Sequence, residues 1–177
     1  KNEIREVKRI EVIDTMNASL AAGLIVVAAA RVAKNGGSLS DVIAESNNAR
    51  REVKMFFTLD TLEYLEKGGR IGKAQSLMGS LLQIKPILTM RDGQVHPLTR
   101  IRSRRKAVME LDNLVKEAMP IKEMFLGYST DEAEADAMHE RLSGIVDKAM
   151  IVRGRFGPVI GTYAGPRALG VAVRRSV

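Results

Sequence analysis

The chain has 177 residues, 45% of them hydrophobic and 28% charged, with only 4% aromatic. That balance fits a folded chain with an aliphatic and methionine-rich core, and excludes a disordered, charge-dominated segment. Cysteine is absent, which removes a disulfide framework, a thiolate metal site and a cysteine nucleophile together and suits a reducing, cytoplasmic location.

The formal net charge is +7, a balance that favours anionic partners in general. The basic residues are dispersed, and the densest run (Arg100, Arg102, Arg104, Arg105, Lys106) has no interleaved aromatics for stacking on bases, so nucleic acid is not the expected partner. The longest apolar run, Leu20 to Ala30, is much shorter than the ~20 residues that span a bilayer, so no transmembrane segment is expected. No signal peptide is visible. The chain starts at Lys1 in what reads as the middle of an element, and is expected to be a fragment.

In chain order, the alternation of Arg9 to Asp14 predicts a strand entering a loop. Asn17 or Ser19 then caps a helix running to Ala33 and stopped by Asn35-Gly36-Gly37. Ser38 or Ser40 caps a second helix to about Glu52. Val53 to Leu59 reads as a buried strand, and Thr61 to Lys67 as a short helix closed by Gly68-Gly69. Apolar residues at helical spacing cover Lys73 to Leu82. The segments Lys85 to Met90 and Gln94 to Ile101 flank Arg91-Asp92-Gly93, a hairpin signal. A helix from Ser103 to Met119, a strand from Ile121 to Tyr128 and a helix from Glu132 to Val146 follow. Strands at Ala149 to Arg155 and Ala168 to Arg174 bracket a glycine-rich segment.

The expected fold class is α/β, divided in two. Residues 1–68 are the C-terminal part of a parallel α/β first domain. Residues 69–177 form an α+β domain whose sheet is mostly antiparallel.

Three segments carry a resemblance to a known family: Leu59-Asp-Thr-Leu-Glu-Tyr-Leu-Glu-Lys-Gly-Gly-Arg-Ile71, then Leu77-Met-Gly-Ser-Leu-Leu-Gln-Ile-Lys-Pro-Ile-Leu88, then Gly157-Pro-Val-Ile-Gly-Thr-Tyr-Ala-Gly-Pro-Arg-Ala-Leu-Gly170. With the upstream Ile13-Asp-Thr-Met-Asn-Ala-Ser19, they resemble the DegV family in order and spacing across essentially the whole chain, although the family's first strands and helices have no counterpart. The resemblance implies a six-stranded, mostly antiparallel sheet in the second domain. It also implies a non-catalytic, bacterial protein that binds a long-chain fatty acid in an apolar tunnel between two domains. No cofactor is implied beyond that ligand. In some members the ligand is presented to a separate fatty-acid kinase.

On this resemblance Ser19, Arg70, Thr162 and Tyr163 are the candidate carboxylate-binding residues. Met78, Leu81, Leu82, Ile84 and Ile87 are candidate tunnel wall, and Arg100, Arg102 and Arg104 are a candidate docking patch for the kinase. Each has a plainer reading: Ser19 as an ordinary helix cap, Arg70 as a cap on the preceding helix, the apolar cluster as core and the arginines as a solvated helix start. The glycine-rich segment departs from the family pattern. Tyr163 stands where histidine is usual, Ala164 replaces threonine, and Arg167 replaces glycine.

Two other classes stay open at this point. A phosphotransfer-related enzyme subunit is disfavoured because His96 and His139 sit in unrelated contexts and there is no Walker-type loop. A basic regulatory module binding nucleic acid would use Arg102, Arg104 and Arg105.

Overall fold

The computed structural model describes residues 9–78 and 84–176. Their elements are α1 (Ser19–Lys34), α2 (Leu39–Glu52), β1 (Val53–Thr58), α3 (Glu63–Lys67), a 3-10 turn (Gly72–Leu77), β2 (Lys85–Arg91), β3 (Gln94–Ile101), α4 (Arg104–Glu117), β4 (Ile121–Tyr128), α5 (Glu132–Leu142), a second 3-10 turn (Lys148–Met150), β5 (Ile151–Arg155), α6 (Pro158–Ala164) and β6 (Leu169–Arg175). The strands form one six-stranded sheet in the order β3-β2-β1-β6-β4-β5. Every neighbouring pair is antiparallel except β4 with β5, as expected for a mostly antiparallel sheet.

Local chemistry explains most element ends. Ser38 and Asp41 form a reciprocal capping box at the start of α2, so two otherwise unbonded N–H groups are satisfied together. The β2–β3 hairpin turns on Asp92 (φ 48°) and Gly93 (φ 73°), the two consecutive positive φ angles that a tight hairpin requires. Arg91 pairs with Gln94 across it.

Strand alternation sorts the apolar residues into two cores, one on each face of the sheet. Phe56, Ile87, Leu126, Val171 and Val173 pack with Leu111 and Val115 of α4 and Met138 of α5. On the other face Met55, Phe57, Leu88 and Ala172 pack with Leu24, Ile25 and Ala28 of α1 and with Leu65 of α3. β6 presents small residues to this second face. At Gly170 a Cβ would stand 2.8 Å from the Phe57 Cβ, so a side chain there would force the central strands apart.

Several expectations are corrected. Arg9 to Asp14 is not a strand, because no neighbouring strand pairs with it among the described residues; Val12 is left 92% exposed. The glycine-rich segment contains α6, begun by Gly157 and by Pro158 in its first turn, a position where proline's missing N–H costs nothing. Helix α5 ends at Leu142. The stretch from Lys73 is a 3-10 turn rather than an α-helix, and residues 79–83 lie outside the described residues. Independently of these element bounds, β1 pairs on one side with β2 and on the other with β6, and α1 packs on the face of that same sheet.

A charged network fastens α1 and α2 to the sheet. Arg174 on β6 is only 5% exposed. It donates to Glu52 Oε2 at 2.6 Å and to Glu45 Oε1, and stands 3.7 Å from Glu123 Oε2. Lys122 reaches Glu52 at 2.8 Å, and Arg31 of α1 pairs with Glu123. Burial by itself would raise the Glu52 carboxyl, but hydrogen bonds from Lys122 and Arg174 outweigh it and hold the group below its ordinary value of 4.5. A carboxyl lowered on folding contributes stability that is complete above 4.5 and fades as pH falls through the folded value. Thermal midpoints recorded against pH should therefore drop less steeply below pH 4.5 in Glu52→Gln than in the parent; parallel curves would show that Glu52 carries no linked proton.

Candidate functional site

On the α1 face of the sheet lies a cavity of about 1050 Å³, just above the ~300–1,000 Å³ usual for ligand pockets. Its apolar walls come from β1 (Met55, Phe57), α3 (Leu65), the hairpin (Met90, Val95) and the α6 region (Phe156, Ile160). The hydrophobic face of β1 is thus only partly covered by helices, and the remaining space is the cavity. Polar side chains are interspersed on the wall, among them Asp14, Asn17, Ser19, Arg70, Lys73 and Gln94.

Ser19 is brought to the cavity by the first turn of α1. It is the first residue of the helix, with φ 49°, and Ala18 before it offers no side-chain cap. Corrected on this point, Ser19 is not an N-cap, and its hydroxyl has no hydrogen-bond partner among the described residues. A non-glycine residue at positive φ costs of order 1–3 kcal/mol and recurs where function fixes the backbone. The first turn of α1 holds no acidic residue, so its unbonded N–H groups and positive dipole end are not neutralised locally. The arrangement suits an anion.

Arg70 follows Gly68 and Gly69, the latter at φ 65°, where glycine permits the left-handed turn. Rather than capping α3 firmly, its guanidinium reaches the Gly69 carbonyl only at 3.5 Å and lies 5.7 Å from the centroid of the Tyr163 ring. No carboxylate pairs with it among the described residues. Tyr163 lines the cavity from α6, whereas Thr162 does not. The Thr162 hydroxyl is exposed and donates within its own helix to the Pro158 carbonyl at 2.9 Å.

Of the residues expected to wall a tunnel, the three that are described, Met78, Ile84 and Ile87, do not line this cavity. Leu81 and Leu82 lie outside the described residues. Ile87 points into the opposite core, against the α4 face, because its strand neighbour Leu88 takes the cavity side. Ile84 packs at the margin of the second core without lining the cavity, and Met78 is 38% exposed at the end of the 3-10 turn. The apolar wall includes instead Met55, Phe57, Leu65, Val95, Phe156 and Ile160, which the sequence pattern does not distinguish from ordinary core.

The docking arginines also separate. Arg100 and Arg102 are exposed, beside Lys106 and Met109, and lack carboxylate partners among the described residues. Arg104 is turned inward, with its side chain 12% exposed; it pairs with Glu134, approaches Asp60 at 3.7 Å and donates to the Arg167 carbonyl at 2.7 Å. It ties α4 to α5. Arg167, at φ 55°, directs its charge to Asp60, Asp131 and Glu134 rather than to the cavity. His139 stands near Glu140, and His96 lies on β3 paired with Thr89. Among the described residues no group of three or more histidine, aspartate or glutamate side chains could hold a metal, and no helix is long and apolar enough to cross a membrane.

Comparison with known proteins agrees with this architecture. The profile of the family described as "Uncharacterised protein, DegV family" matches residues 1–176. The chain belongs to the DegV family. It is 32% identical over 170 residues to a DegV domain-containing protein of Streptomyces coelicolor, covering 93% of this chain and 59% of that one. It is 34% identical over 163 residues to protein DegV of Bacillus subtilis, covering 89% and 58%. The chain therefore spans about 60% of the length of these relatives. Among solved structures, a DegV family protein from Thermus thermophilus described for fatty-acid binding superposes with a TM-score of 0.86 at 34% identity, over 98% of this chain and 62% of that one. DegV of Bacillus subtilis, described as a fatty acid binding protein, gives 0.78 at 34% identity, over 92% and 59%.

Proposed function

We propose that this chain binds a long-chain fatty acid without transforming it, laying the tail along Met55, Phe57, Leu65 and Phe156 and meeting the carboxylate with Ser19 and Arg70. The observation that carries the reading is one cavity whose walls are mainly apolar and which also holds the uncapped start of α1 and a cation without a carboxylate partner among the described residues. The descriptions of the Thermus and Bacillus relatives support it.

Magnitudes assign the roles. Each buried methylene is worth ~0.8 kcal/mol, so a long tail gains on the order of 10 kcal/mol before association costs. A hydrogen bond to a charged group adds roughly 1.5–3 kcal/mol. The walls set affinity and the polar groups set orientation. Exposed Arg100 and Arg102 would suit an acidic partner such as a fatty-acid kinase, with Arg104 left to its structural ion pairs.

Organic extraction of the purified protein followed by mass spectrometry should recover acyl chains of long length in a near-stoichiometric amount. A protein that is empty as purified and does not take up added oleate or palmitate would refute the reading.

A further inference from the structure

Helices α3 and α6 interlock through two reciprocal contacts between a ring and a glycine. A Cβ on Gly165 would overlap the Tyr64 ring, and a Cβ on Gly68 would overlap the Tyr163 ring. The Tyr163 ring is thereby seated against the backbone of the α3 exit, two residues before Arg70, while its other surroundings include the cavity. The Arg70 guanidinium stands 5.7 Å from the ring centroid. The Tyr163 hydroxyl makes no hydrogen bond among the described residues, so the visible work of this side chain is done by its ring. Arg70 itself is anchored through its backbone, whose N–H donates to the Leu65 carbonyl at 2.8 Å.

We propose that Tyr163 is a positioning residue: the face of its ring holds the Arg70 guanidinium at the cavity wall, and the pair makes the site select an ionised headgroup over a neutral one on the same tail. The inference rests on the acyl-binding reading above. A guanidinium lying over an aromatic ring is stabilised by the ring's negative face yet keeps its in-plane N–H donors free. Those donors match a carboxylate in a two-pronged geometry. Of the other charged groups on the wall, Asp14 opposes an anion but has one oxygen occupied by the Met16 N–H at 2.8 Å. Lys73 adds a second cation without a carboxylate partner among the described residues.

The test compares palmitate with 1-hexadecanol, each displacing a fluorescent alkyl probe from the full chain. The unsubstituted protein should prefer the acid, and Tyr163→Phe should keep that preference because the ring remains. In Tyr163→Leu and Arg70→Met the preference should fall on the order of tenfold, the size of one lost charged hydrogen bond, with affinity for the alcohol retained. Gly68→Ala, which displaces the ring without touching it chemically, should behave like Tyr163→Leu. Raising the salt concentration should erode the preference in the parent and in Tyr163→Phe but not in Arg70→Met. A preference that survives Tyr163→Leu, or one that Tyr163→Phe abolishes as fully as Tyr163→Leu, overturns the inference while leaving acyl binding in place. Failure of the unsubstituted chain to bind either lipid overturns both.

Discussion

Arg174→Met should destabilise the protein by about 3–5 kcal/mol, the usual cost of leaving buried charges without their partner. Among the described residues Arg174 alone touches Glu45, Glu52 and Glu123 together, and Glu123 Oε2 already lacks a hydrogen bond there. With the guanidinium gone, Lys122 still serves Glu52 and Arg31 still serves Glu123, but Glu45 faces the cluster with no cation among the described residues. Methionine fills similar space, so the loss is electrostatic rather than a cavity effect. Denaturant unfolding followed by circular dichroism would measure it. Adding Glu45→Gln to Arg174→Met should recover part of the loss, since the orphaned charge is removed; a double variant as unstable as the single one would show that packing, not charge, is at stake.

The second large effect is on ligand binding. Ala164 closes α6 and lines the cavity, half-buried. Tryptophan there would project into the space assigned to the tail. Excluding three or four methylenes costs about 3 kcal/mol, roughly a hundredfold in affinity. Acyl chain recovered by extraction should fall accordingly, while Ala164→Ser, which adds little volume, should keep its lipid. The unfolding midpoint should change little in either, because the ring enters empty volume rather than close-packed core. Full lipid occupancy in Ala164→Trp would mean that the tail lies elsewhere.

These effects were unevenly legible beforehand. The hairpin could be read because Asp92-Gly93 meets a backbone requirement that few residue pairs satisfy. Ser19, Arg70, Thr162 and Tyr163 all stand in segments that resemble the family, and all but Thr162 line the cavity. The apolar wall was not legible, for a physical reason. In a strand, neighbours face opposite sides, so the all-apolar run around Ile87 and Leu88 fits either assignment; only the partner helices decide which side keeps empty space. Arg104 shows the same limit among charges. Nothing within the basic run distinguishes it from Arg100 and Arg102, since its partner Glu134 lies thirty positions away on α5. Helix α6 was hidden by Gly161 within it and by the flanking Gly157 and Gly165, although Pro158 after Gly157 is itself a start signal.

The strand order has a consequence for how the molecule is assembled. β6, the last strand in the chain, lies between β1 and β4, and those two do not pair with each other. Before β6 arrives, β3-β2-β1 and β4-β5 are two unconnected half-sheets, and joining them brings Val53 beside Arg174, 121 positions apart. Such distant closure is slow and leaves strand edges bare meanwhile. During synthesis the sheet can knit only after Leu169–Arg175 has left the ribosome, and until then β1 and β4 each present an unpaired edge to any chaperone within reach.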